Sequence, residues 1–135
     1  MRQEYWNLKL SLLIAVAIIP TTSLASETRQ GTASWFSTES CVFNPDPRCP
    51  TASGQSLYEL ERRGVAFGAM WDVPLGSTVL VCYDETATCL PIVILDRGPN
   101  TRLGRLIDLD KESFRLLSGN RLDRGLIPVT VKEMP

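Results

Sequence analysis

Two strand-forming runs, Thr78–Tyr83 and Leu90–Leu95, flank the polar segment Asp84-Glu85-Thr86-Ala87-Thr88, with Cys82 and Cys89 at its two feet. Apolar, partly β-branched runs of this length on either side of a short polar loop predict an antiparallel hairpin. The second run stops abruptly at Asp96-Arg97-Gly98-Pro99-Asn100. Gly-Pro-Asn is turn chemistry, so a carboxylate and a guanidinium are left at the end of a buried strand. Such a strand end commits the chain to a β-rich domain and sets a charged pair at the rim of a cleft.

The remaining segments fit the same class. Gly31–Phe36 predicts a first short strand, Val65-Ala66-Phe67 a brief one, Arg105–Leu109 another and Leu126–Lys132 the last. Pro128 marks an edge or a bulge in that last strand. Ser37–Pro50 is rich in Pro, Asn, Asp and Ser and predicts a loop, and Ser56–Arg62 a short helix or turn. Asp110 is placed to cap a helix over Lys111–Leu117, with Phe114, Leu117 and Leu116 toward the core and Gly119 as its stop. Six short strands and one or two short helices make a compact, mainly β barrel the expected fold.

Arg2 and Lys9 precede an apolar stretch from Leu10 to Ile19, broken only by Ser11, and Ser23-Leu24-Ala25 places small residues at −3 and −1. Residues 1–25 therefore read as a secretory signal peptide, leaving one domain over 26–135. About ten apolar residues are too few to cross a bilayer, so no stable membrane span is expected in the mature form. Of 14 basic and 15 acidic residues, removing Arg2, Lys9 and Glu4 leaves 12 and 14, a net charge of −2. That balance argues against nucleic acid or an anionic membrane as the main partner. A monomer is expected, in the periplasm or outside the cell.

Four cysteines in a small exported domain favour disulfides over metal. Three pairings are open, and the local one, Cys41–Cys49 with Cys82–Cys89, is expected. Metal binding is the rival, but neither pair has the C-x-x-C spacing of zinc sites, so no metal or other cofactor is expected. The chain contains no histidine. This excludes Ser-His-Asp and Cys-His catalysis, and leaves carboxylates to carry any acid–base chemistry.

Five segments in this order resemble the rare-lipoprotein-A-like family of double-psi β-barrels, with expansins as distant relatives. They are Gly31-Thr32-Ala33-Ser34-Trp35-Phe36, Thr51-Ala52-Ser53-Gly54-Gln55, Val73-Pro74-Leu75-Gly76-Ser77, Asp96-Arg97-Gly98-Pro99 and Arg105-Leu106-Ile107-Asp108-Leu109. The resemblance implies a six-stranded double-psi barrel whose cleft binds peptidoglycan glycan strands. It also implies an endolytic lytic transglycosylase, in which one carboxylic acid protonates the glycosidic oxygen and the sugar's own 6-hydroxyl attacks. The family's active members carry Glu where this chain has Gln55, Tyr-Asp where it has Tyr58-Glu59, and His where it has Gly68. The expected protein is thus a transglycosylase with an atypical site, or a non-catalytic glycan-binding or wall-loosening module. An inhibitor-type barrel is a third possibility.

The residues suggest roles within that frame. Asp96 is a candidate acid, because a strand-end carboxylate beside a core run is partly desolvated, although Arg97 favours its ionised form. The bland alternative is an Asp96–Arg97 pair, or backbone N–H bonds to Asp96. Glu59 is the second candidate acid, with Tyr58 beside it to meet a sugar; alone it is an exposed charge on a helical turn. Asp108 is a charge inside an apolar strand and needs a partner, Arg97 or Arg105, unless it serves the cleft. Gln55, Thr51 and Ser53 are candidate hydrogen-bonders to sugar. Trp35 and Trp71 are candidate stacking platforms, or core.

Overall fold

Alternation builds the barrel. In β3 (Thr78–Tyr83) each half-exposed side chain is followed by a buried one, the period of a strand with one face on a core. The computed structural model of the protein describes residues 13–21 and 26–135. Its other strands are β1 (Thr28–Phe36), β2 (Phe67–Ala69), β4 (Cys89–Asp96), β5 (Ile107–Asp110) and β6 (Ile127–Glu133). They close in the order β1-β5-β2-β4-β3-β6. β1 with β5 and β2 with β4 are parallel, and the other four pairs are antiparallel. This is the six-stranded double-psi barrel expected. Two short helices accompany it, α1 (Leu57–Arg62) and α2 (Lys111–Leu117).

Inward side chains fill the barrel: Val79, Val81, Ile92, Ile94, Ile107, Leu109, Ile127 and Val129 are fully or almost fully buried, with Phe114 and Leu117 from α2 closing one end. A smaller cluster of Leu57, Leu60, Phe67 and Leu95 gathers around Cys41 and Cys49. Both local disulfides are present, Cys41–Cys49 and Cys82–Cys89, and no described cysteine is free. The second joins directly paired residues of the β3–β4 hairpin. Such bridges fit an oxidising compartment.

Several boundaries differ from expectation. The brief strand is Phe67–Ala69, two residues later than Val65–Phe67, and a 3₁₀ turn occupies Thr38–Phe43 within the expected loop. Leu116 faces outward, 49% exposed. Pro128 is neither at an edge nor a bulge, because the barrel has no edge. Its carbonyl accepts from the Asp84 N–H, so its missing N–H faces the β3 side too, beyond the last pair there, Tyr83↔Val129. Asp110 does cap α2, accepting from the Ser113 N–H, and Gly119 follows the helix at φ 67°.

The expected leader lies largely outside the described residues, and its junction at Ser23-Leu24-Ala25 wholly so. Residues 13–21 are exposed and lack regular structure. No described helix is long and apolar enough to cross a membrane.

Candidate functional site

Strand pairing lays four residues in a row on the side of the sheet away from the core, Ser34 and Ala69 buried and Asp96 and Asp108 half-buried. Asp96 on β4 is paired with Ala69 on β2, Ala69 with Asp108 on β5, and Asp108 with Ser34 on β1. Laterally paired residues point to the same face of a sheet, so two carboxylates flank a small alanine, roughly 10 Å apart at Cα. Ile107 and Leu109 turn the opposite way, into the core. The row exists because Gly68 lets β2 approach β5. A Cβ there would stand 2.8 Å from the Asp108 carbonyl oxygen, so this position has no room for a side chain of any kind.

The loop after β4 folds back over the row. Gly98, at φ 151° beside a cis Gly98–Pro99 bond, lies against Ala69 and the Asp108 carboxyl. Arg97 does not pair with Asp96. Its guanidinium donates to the carbonyls of Met70 and Val73, at 2.8 and 2.6 Å. Trp71 follows Met70 and donates its indole N–H to the Pro99 carbonyl at 2.6 Å. Trp71 is 55% exposed, and this bond ties it to the loop whose Gly98 lies against the Asp108 carboxyl.

The two carboxylates differ in their partners. Asp96 accepts from the backbone N–H of Ala52 and of Arg97, both at 2.9 Å and both through Oδ1. The first of these ties the Thr51–Gln55 turn to the end of β4, and the Ser53 N–H reinforces it by donating to the Leu95 carbonyl. Asp108 accepts a hydrogen bond from the Ser34 hydroxyl. Burial pushes its carboxyl above the ordinary carboxylate value. Ser34 and Arg105 oppose that rise, and Asp96 adds to it. A raised pKa is the direction a general acid needs, and Asp108 has it.

The other expected residues divide. Thr51 is buried and serves its own turn, donating to the Gln55 carbonyl and sharing a hydrogen bond with Ser53. The Gln55 side chain is exposed on that turn. Glu59 and Tyr58 lie on α1, exposed; Glu59 pairs with Arg62, whose hydrogen bond holds its carboxyl below the ordinary range. A lowered pKa is the wrong direction for a general acid. Trp35 points away from Ser34, packs on Phe114 beneath Lys111, and donates to the Leu122 carbonyl. Sequence reading missed Ser34 and Ala69, because only pairing register puts them beside the carboxylates.

No protein-family model and no curated protein matches the chain. Among solved structures, an expansin of Clavibacter michiganensis is similar over 81% of this chain and 51% of its own, at 16% identity and a TM-score of 0.58. A variant of that expansin in complex with cellohexaose gives 0.57 over the same shares. The Streptomyces papain inhibitor is similar over 83% of this chain and 98% of its own, at 18% identity and 0.59. Cerato-platanin 3 of M. perniciosa gives 0.53 at 11% identity over 79% and 95%. The chain thus spans about half the length of the expansin. At these identities the likeness establishes the fold.

Proposed function

We propose that this chain is an exported module that binds wall glycan, peptidoglycan strands first, in the groove over Asp96, Ala69 and Asp108, and that it acts by binding or loosening rather than by cutting. The observation that carries the reading is an exposed Trp71 tied to the loop that follows Asp96 and lies against Asp108, next to two carboxylates that retain free acceptor positions. An aromatic face suits the C–H side of a pyranose, and carboxylates accept from sugar hydroxyls. An expansin of the same fold has been seen with cellohexaose, which supports a glycan as the occupant. Gln55 cannot donate a proton as an acid, Gly68 has no side chain, and Glu59 is held ionised by Arg62. These three features weigh against the cleavage mechanism implied by the sequence resemblance.

Incubation with sacculi and with peptide-free glycan strands tests the proposal. The protein should pellet with sacculi, Trp71→Ala should release it, and no 1,6-anhydro ends should accumulate by mass spectrometry. Anhydro ends formed by wild type but not by Asp108→Asn would replace binding with lytic cleavage. Failure to pellet with any glycan would end the glycan reading.

A further inference from the structure

The twelve basic side chains of residues 26–135 are unevenly used. Arg29, Arg48, Arg62, Lys111, Arg115, Arg121 and Arg124 each form an ion pair. Five form none with a described residue: Arg63, Arg97, Arg102, Arg105 and Lys132. Three of these five lie in one ten-residue loop, 97–106, between β4 and β5, whose Gly98 lies against Ala69 and the Asp108 carboxyl.

The loop's backbone is ordered by its own contacts, while the Arg102 and Arg105 side chains make no ion pair with a described residue. Arg97 is anchored through two carbonyls. The Asn100 side chain accepts from the Arg102 N–H and starts a 3₁₀ turn, Thr101–Leu103, which Gly104 ends in the left-handed region at φ 63°. Arg102 is exposed on that turn and Arg105 is half-buried just before β5. Arg105 bears on the Asp108 carboxyl without closing an ion pair with it. A salt-bridged surface elsewhere and unpaired guanidiniums here make the loop the cationic edge of a groove whose floor is anionic. Guanidinium forks match carboxylates in geometry as well as charge.

Resting on the groove reading above, we propose that Arg102 and Arg105 form a subsite for a carboxylate carried by the bound glycan, so that the module prefers acidic β-1,4-linked strands over neutral ones. The carboxylate has two chemical sources, a uronic acid ring or the lactyl group on the sugars of peptide-free peptidoglycan.

Calorimetric titration of the oxidised chain with cellohexaose, a β-1,4-linked hexaglucuronate and peptide-free peptidoglycan strands tests this. One charge-assisted contact is worth about a tenfold change in Kd. At low salt, at least one acidic glycan should bind about tenfold more tightly than cellohexaose. The advantage should shrink to under about threefold in 0.5 M salt, where exposed charges are screened. In Arg102→Gln/Arg105→Gln it should vanish while cellohexaose affinity holds. Arg105→Lys should keep part of the preference, and Arg102→Glu, altering only an exposed side chain, should reduce it without touching the fold. Tight binding of the hexaglucuronate alone assigns a uronic acid polymer; binding of the peptidoglycan strands assigns the lactyl group. Equal affinity for acidic and neutral glycans, or a preference that survives both arginine substitutions, overturns the subsite and leaves the groove. Absence of binding to all three overturns both.

Discussion

Asp108 and Asp110 stand two residues apart on β5, and the barrel treats them in opposite ways. Asp110 is buried and accepts from three donors, the Phe67 N–H, the Ser113 N–H and the Ser113 hydroxyl. It joins β2, the end of β5 and the start of α2, on the edge of a cavity of about 450 Å³ lined by Val65, Ala66, Leu90 and Leu122. Asp108 is half-buried, accepts from the Ser34 hydroxyl, and leaves its other oxygen, near Gly98, without a hydrogen bond from a described residue. A carboxylate whose oxygens are all engaged by the protein is architecture. One left partly desolvated and partly unengaged is where a ligand gains most.

The largest expected effect breaks the architectural side. Asp110→Ala removes the α2 cap and leaves the buried Phe67 N–H without an acceptor, which should cost about 2–4 kcal/mol. Thermal and urea unfolding measure this; a loss below about 1 kcal/mol would mean that Asp110 does not join the three elements. The remaining folded fraction should still bind glycan.

A smaller effect of opposite sign belongs to Asp108. Its carboxyl is raised in the fold, so the native state favours the protonated form more than the unfolded chain does. That contribution is complete below the ordinary carboxylate value of 3.8 and is lost as pH rises through the raised folded value. Asp108→Asn, which cannot ionise, should therefore match wild type near pH 3 and be the more stable at pH 7, by a margin that solvent screening of the half-exposed carboxyl keeps small. A difference independent of pH between those limits would contradict the assignment. The smallest effect is expected at Glu59, whose exposed pairing with Arg62 is screened by solvent. Glu59→Gln should leave both Tm and glycan binding where they are, and a loss of binding would move the site toward α1.

How much of this could be read beforehand follows from whether the signal is local. The hairpin and the stop at Asp96 are legible because period-two alternation and Gly-Pro-Asn turn chemistry act within a few residues. The Asp110 cap and the Gly119 stop are legible for the same reason. Asp108 is conspicuous as a charge in an apolar strand, although its partner, Ser34, is 74 residues away and shows only through register. β2 was displaced because Gly68-Ala69 is a poor strand former on propensity. Its place is fixed by two neighbouring strands and by the absence of a Cβ at Gly68. Trp35 and Trp71 look alike as letters. Tertiary packing alone separates the ring under Lys111 from the ring hydrogen-bonded to Pro99.

The most direct test is an amide and indole NMR titration of the isotope-labelled protein with peptide-free glycan strands. Shifts should concentrate at Ser34, Ala52, Ala69, Gly98, Asp108 and the Trp71 indole, while Phe67, Asp110, Ser113 and the Trp35 indole stay still. Shifts confined to the Asp110 side, around Val65 and Leu122, or no shifts at millimolar glycan, would contradict the carboxylate groove as the working surface of this barrel.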